Sequence, residues 1–275
     1  DAVVQAARSV GIEVWHYRLG DDLLPLELAA PEVDHAILLV NFFGIHGAEL
    51  SSASRTWGSR CIVDNTQAFF EAPLAAPWTF YSARKFFGVP DGAYLHGPSP
   101  VDVDSLPQAR PPVGHLCRKL SGEGRSAYQE YLRNEAAIDC RPRRMSQLSR
   151  SLLGSIDYEA AMRRRLSNAL YLHRRLAAIN RLPTPLSDGL APLCYPLLLD
   201  HPVDRESLAQ GGLFVPTFWK EVPLRPEADR FPWECELASK LLPLPVDHRY
   251  DTSDMDLLLA AENGTGAPAG AADRI

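Results

Sequence analysis

Short apolar runs alternating with helix-like segments constrain this chain most. "AILLVNFFG" (36–44) and the start of "CIVDNTQAFF" (61–70) are apolar stretches bounded by turn-forming residues. That is the pattern of strands buried on both faces. Between them "GAELSSASRTWGS" (47–59) reads as a helix, and "WTFYS" (78–82) and "GAYLHG" (92–97) give two further short strands. Near the start, "DAVVQAARSVG" (1–11) reads as an amphipathic helix already in progress and stopped by Gly11, followed by a strand candidate, "IEVWHY" (12–17). An opening inside a helical pattern implies that an N-terminal portion is absent. Strands alternating with helices predict an α/β fold, a mainly parallel sheet with helices on its faces. In such sheets ligands collect at the carboxyl ends of the strands.

A proline-rich connection (98–114) leads to two helical stretches, roughly 125–138 and 155–179. In the second, Met162, Leu166, Ala169, Leu170 and Ala177 form one apolar stripe that takes in His173, which reads as a packed or boundary histidine. From about 182 the chain gives a strand ("APLCYPLLLD"), a short helix ("VDRESLAQGG") and a strand or extended loop ("LFVPTFW"). A helix over 234–241, a turn, and a final helix capped by Thr252 or Ser253 follow. This suits a small C-terminal α+β domain. The boundaries read as 1–140 for a large domain, 141–181 for connecting helices, 182–262 for the small domain and 263–275 for a disordered tail.

Composition narrows the function classes. Of 275 residues, 46% are hydrophobic and 23% charged, ordinary values for a globular chain able to bury a core. The net charge of −6 argues against general nucleic-acid binding. The cysteines, Cys61, Cys117, Cys140, Cys194 and Cys235, are odd in number and scattered, which fits a reduced compartment and argues against a disulfide framework or a zinc site. No apolar run reaches the roughly 18 residues of a membrane span, and no signal peptide is visible, so a cytoplasmic protein is expected.

Chemistry-capable residues stand just past two of the apolar strands. Asp64 and Gln67 form D-x-x-Q, and Ser82 and Lys85 form S-x-x-K. Singly, each has a plain explanation: a solvated lysine, an aspartate or serine in a turn, a surface glutamine. Together, "IVDNTQAFF" and "FYSARKFFGVPDGAYL" resemble the DegT/DnrJ/StrS sugar aminotransferases, pyridoxal phosphate (PLP) enzymes of the aspartate aminotransferase fold. "VNFFG", "RRMSQLSRSLL", "RRRLSN", "LFVPTFW" and "LLPLPVDHRYDTSDMD" extend the resemblance over roughly residues 3–259.

The resemblance implies PLP as cofactor. Lys85 would be its Schiff-base anchor and the base that moves a proton between substrate and cofactor. Asp64 would keep the pyridine nitrogen protonated, Gln67 would pack by or hydrogen-bond the ring, and Ser82 would bind the phosphate. It also implies a keto sugar substrate, nucleotide-linked in the family's manner, glutamate or glutamine as amino donor, and a homodimer.

The sequence departs from the family pattern in two places. The family's small-residue phosphate loop precedes the point where this chain opens. Where relatives carry an asparagine that reaches the phosphate across the dimer, "CRPRRMS" has Pro142. Arg144 matches the family's arginine, and Arg141, Arg143 and Arg144 offer either phosphate contacts or a solvated basic face. These departures keep a second reading open, a non-catalytic relative that retains the dimer scaffold. A third, a serine hydrolase with Ser82 as nucleophile and Lys85 as base, lacks the K-T-G element of that class.

Overall fold

The computed structural model describes residues 2–26, 28, 34–74, 76, 78–187, 189–210 and 215–262. The expected disordered tail, and Leu213 and Phe214 of "LFVPTFW", lie outside them.

In chain order the first half contains α1 (Ala2–Ser9), β1 (Ile37–Val40), α2 (Gly47–Trp57), β2 (Cys61–Asp64), β3 (Trp78–Ser82) and β4 (Ala93–His96). Then come α3 (Gly114–Leu120), α4 (Gly124–Ala136), α5 (Gln147–Gly154) and α6 (Tyr158–Leu176). The last third holds β5 (Cys194–Leu197), α7 (Arg205–Gln210), α8 (Pro232–Lys240), β6 (Leu242–Pro245) and α9 (Thr252–Glu262). The fold is α/β with a mainly parallel sheet, as the alternation predicts. β1 pairs in parallel with β2, Ile37 opposite Cys61 through Val40 opposite Asp64, and β2 pairs in parallel with β3.

The chain divides into two compact units, residues 1–16 with 82–156, and residues 17–81 with 157–275. The second unit holds the parallel strands. Ile37, Leu39, Cys61 and Val63 bury one face of β1 and β2 together with Leu50 of α2. β1 alternates between buried and half-buried residues, and β2 does so as far as Val63, with Asp64 also buried, so neither is buried on both faces along its length as the apolar runs implied. Burial pushes the Cys61 thiol up to about 11, which makes it an inert core residue.

Elsewhere in that unit, α6 and α9 pack with the antiparallel pair β5–β6 around Leu172, Tyr195, Leu197, Leu242, Met255 and Leu258. Each fully buried Leu there contributes about 1.5–3 kcal/mol. Pro196 lies opposite Pro243 in the pair, which a sheet made only of edge strands tolerates. His173 is packed as expected, its Nδ1 3.3 Å from the Tyr195 hydroxyl.

Several expectations are corrected. Residues 12–17 form no strand: Ile12 and Trp15 are 57% and 65% exposed, so the segment has no buried face to align it. α3 was not anticipated. The buried stripe of α6 is Ala161, Arg165, Asn168, Ala169, Leu172 and Leu176, while Met162, Leu166 and Leu170 are only half-buried and Ala177 is exposed. Two polar residues hold core positions through hydrogen bonds made inside, Arg165 to Pro192, Leu193 and Asp247, and Asn168 to Asp247 and Tyr250. Of the strand or extended loop read for "LFVPTFW", the described residues 215–218 take the loop. At α9 the cap is Asp251, whose carboxylate accepts the Ser253 N–H at 2.9 Å, while the Asp251 N–H donates to Asp254 at 2.9 Å. This reciprocal arrangement is a capping box one residue earlier than the sequence indicated.

Arg165 is 1% exposed and pairs with Asp247 at 2.9 Å; Arg249 holds the other carboxylate oxygen at 2.8 Å. Burial alone would raise the Asp247 carboxyl, but the Arg165 charge and the Arg249 hydrogen bond outweigh it and hold it below its ordinary value. The stabilisation is therefore complete above the unfolded carboxyl value of about 3.9 and is lost as pH falls through the lower folded value. Melting temperature measured against pH should drop steeply below about pH 4. Asp247→Asn should melt lower at neutral pH, by the equivalent of about 3 kcal/mol, with a shallower acid slope.

Candidate functional site

The residues singled out in the sequence sit at the carboxyl ends of β2 and β3. Asp64 and Gln67 belong to the second unit; Ser82 and Lys85 belong to the first. Each pair has its own supporting structure.

In the second unit the parallel ladder continues one step past the strands. The Asn41 N–H donates to the Asp64 carbonyl at 3.0 Å and the Asn65 N–H to the Phe80 carbonyl at 2.9 Å. Asp64 ends β2 8% exposed, and its Oδ1 accepts the Thr66 N–H at 2.8 Å, which turns the chain sharply. Gln67 is 7% exposed on that turn, and its Oε1 accepts the Phe43 N–H at 3.1 Å.

That bond holds an unusual backbone. Phe43 is left-handed at φ 60°, and Gly44 follows at φ 74°. A β-carbon on Gly44 would lie 3.1 Å from the Ala68 Cα and 3.2 Å from the Gln67 carbonyl, so the turn after β1 rests directly on the D-x-x-Q turn. The Phe43 ring is fully buried with Leu23, Ile45, Leu182, Cys194, Leu198, Leu237 and Leu241, and stacks on Phe218 at 6.4 Å. Trp219 joins this cluster, edge-on to Phe42 at 5.4 Å, so its environment is one of aromatic packing.

Sequence reasoning missed Asn41, bonded to the Asp64 carbonyl, and Glu71, further along the loop that Asp64 opens. Asn41 is fully buried, and neither atom of its amide has a hydrogen-bond partner among the described residues. Its signal was a lone amide closing an apolar strand. Glu71, whose carboxyl burial raises, places Oε2 2.6 Å from the β-carbon position of Gly47, the first residue of α2. A shallow concavity of about 440 Å³ in the same unit is lined by Asp22, Leu24, His46, Glu49 and Pro183–Pro185, and contains neither Asp64 nor Gln67. There burial lowers the His46 pKa, opposed by the nearby Glu49 and Asp22.

In the first unit Ser82 is extended (φ −122°, ψ 112°) and precedes a single tight turn, Ala83–Lys85, with its hydroxyl making no capping bond. The turn is rooted on both sides. The Ala83 N–H donates to the Gly92 carbonyl at 3.0 Å, and Ala83, Phe86 and Phe87 are buried. Arg84 pairs with Glu135 of α4. Lys85 is exposed between these anchors, so its amine stands on a fixed base.

The loop after Lys85 is fixed by Asp91. Its carboxylate accepts the Ser146 N–H at 2.7 Å, the Ser146 hydroxyl at 2.6 Å and the Ser149 hydroxyl. Ser146 in turn caps α5 through the Ser149 N–H at 3.1 Å. Gly92, at φ 126°, passes close to Met145 and Ala83.

The arginines of "CRPRRMS" have separate fates. Arg143 grips Asp139 with two bonds of 2.6 and 2.7 Å, which hold that carboxyl at about 2. Arg141 is 84% exposed. Arg144 is tied through its backbone to Pro107 and Ala109 and lies 3.7 Å from Asp104.

The fold is similar to the crystal structure of a DegT DnrJ EryC1 StrS aminotransferase from Brucella abortus, with a TM-score of 0.60 over 94% of this chain and 75% of that one. Sequence identity is 15%, so the likeness is one of fold. No protein-family model and no curated protein matches the sequence. Among the described residues no helix is long and apolar enough to cross a membrane.

Asp91→Ala should leave the Ser146 N–H and two hydroxyls without their acceptor, and urea unfolding of the full chain should show a loss of about 1–3 kcal/mol. Ser149→Ala, which removes one of those bonds, should cost less.

Proposed function

We propose that this chain is a PLP-dependent aminotransferase acting on a keto sugar, nucleotide-linked, with glutamate or glutamine as amino donor. The observation that carries the proposal is the placement of D-x-x-Q and S-x-x-K at the ends of adjacent-in-sequence strands in a fold shared with an aminotransferase. A homodimer, a cytoplasmic location and the division into a large domain and a small C-terminal domain belong to the same proposal.

The residues present fit the cofactor. Asp64 is a nearly buried carboxylate anchored by its own turn, suited to hold a proton on a ring nitrogen. Lys85 presents a primary amine on a rigid turn, suited to covalent anchoring and then to proton transfer at the substrate carbon. Ser82 offers a hydroxyl uncommitted to helix capping for a phosphate oxygen. The cofactor, when bound, supplies an electron sink; the protein supplies anchoring, orientation and the proton.

One observation favours the alternative, a scaffold without catalysis. Pro142 removes the family's amide, and Arg143 is already committed to Asp139. Arg141 and Arg144 in that stretch hold loose ion pairs, 3.9 Å to Asp139 and 3.7 Å to Asp104, that a phosphate could displace.

Purified protein incubated with PLP should develop a visible absorbance band, and borohydride reduction should fix the cofactor on the peptide containing Lys85. Lys85→Ala should abolish both, and should lower amino transfer from glutamate by at least about 10³-fold. Ser82→Ala should weaken PLP binding but leave binding of unphosphorylated pyridoxal unchanged. Protein that takes up no PLP would leave the scaffold reading in its place.

A further inference from the structure

The turn that carries Asp64 is connected by an unbroken line of hydrogen bonds to a buried arginine far along the sequence. Gln67 Oε1 accepts the Phe43 N–H at 3.1 Å. The Phe43 carbonyl accepts the Leu193 N–H at 2.9 Å. The Leu193 carbonyl accepts Arg165 Nη1 at 3.2 Å, and the neighbouring Pro192 carbonyl lies 3.3 Å from the same nitrogen. Arg165 Nη2 completes the line at Asp247, 2.9 Å away. All of these residues belong to the second unit.

Three features mark this line as more than packing. It passes through Phe43, a left-handed non-glycine residue, a conformation that persists only where surrounding contacts over-determine it. It ends on an arginine that is 1% exposed. A buried ion pair is a weak source of stability, since apolar residues of similar volume often do as well or better. A role in fixing geometry accounts for the guanidinium where stability does not. Finally, Gln67 spends its carbonyl oxygen on Phe43, so that oxygen serves the turn.

We infer that Arg165 is a positioning residue for the candidate site: through Leu193 and Phe43 it fixes the Gln67 turn, and with it the Asp64 carboxylate. The hydrogen-bonded strut is independent of any cofactor. Its consequence for cofactor binding rests on the function proposed above.

The test replaces the ion pair by apolar residues, Arg165→Met with Asp247→Leu, so that no buried charge is left alone. Three quantities are read: melting temperature, hydrogen exchange at the Phe43 and Leu193 amides, and PLP affinity from the visible absorbance titration. The inference predicts a folded variant melting near wild type, with both amides exchanging about tenfold faster and PLP bound about tenfold more weakly. Arg165→Lys, which keeps a charged donor, should recover part of both losses.

A folded double variant with Phe43 and Leu193 exchanging as in wild type would overturn the strut. Faster exchange with unchanged PLP affinity would overturn its role at the site. Should the double variant not fold, Gln67→Leu and Gln67→Glu decide the matter from the other end. Leu193 protection must fall in the first and return in the second, and unchanged protection in Gln67→Leu overturns the inference. If wild-type protein takes up no PLP, the proposed function fails, and the exchange measurement still decides the strut.

Discussion

The hydrogen bond from the Phe43 N–H to Gln67 Oε1 is the interaction on which the second unit's strand ends depend. A left-handed Phe costs about 1–2 kcal/mol relative to the right-handed form. The cost is offset by complete burial of the ring and by the bonds its N–H and carbonyl make, to Gln67 and to Leu193. With Gly44 seated against Ala68 and Asn41 bonded to the Asp64 carbonyl, the loops after β1 and β2 form one interlocked piece. Asp64 inherits its position from that piece. Lys85 has an analogous base in the first unit, where Ala83 is bonded to Gly92, and Asp91 ties the following loop to the start of α5.

Much of the fold was legible because its signals are local. β1, β2, β3 and β4 each appear as short apolar runs flanked by turn residues, and Gly11, at φ 80°, stops α1 as its position predicts. What was not legible depends on contacts between distant residues. The α6 stripe runs through Arg165 and Asn168, which hydropathy places outside; their partners, Pro192, Leu193, Asp247 and Tyr250, are tens of residues away. The apolar character of "IEVWHY" is real, but among the described residues it forms no strand. The cap of α9 was misplaced by one residue, since Asp, Thr and Ser in a row are equally good candidates until the backbone chooses.

The candidate site was legible in part, as positions along the strands. Spacing put Asp64, Gln67, Ser82 and Lys85 at or just past the ends of their strands, and the structure supplies what spacing could not: the Asx turn at Asp64, the use of the Gln67 oxygen by Phe43, and the buried amide of Asn41. A fold shared at 15% identity speaks to architecture and not to chemistry. Of the three arginines in "CRPRRMS", sequence could not tell which are engaged. The bidentate Arg143–Asp139 pair separates that residue from its neighbours.

The proposed function turns on the Asp64 carboxylate keeping a bound pyridine ring protonated. Loading the protein with PLP labelled with nitrogen-15 in the ring, and recording that nitrogen's chemical shift in wild type and in Asp64→Asn, tests it most directly. A protonated ring nitrogen in wild type and an unprotonated one in Asp64→Asn is the predicted result. The same shift in both proteins would contradict the account.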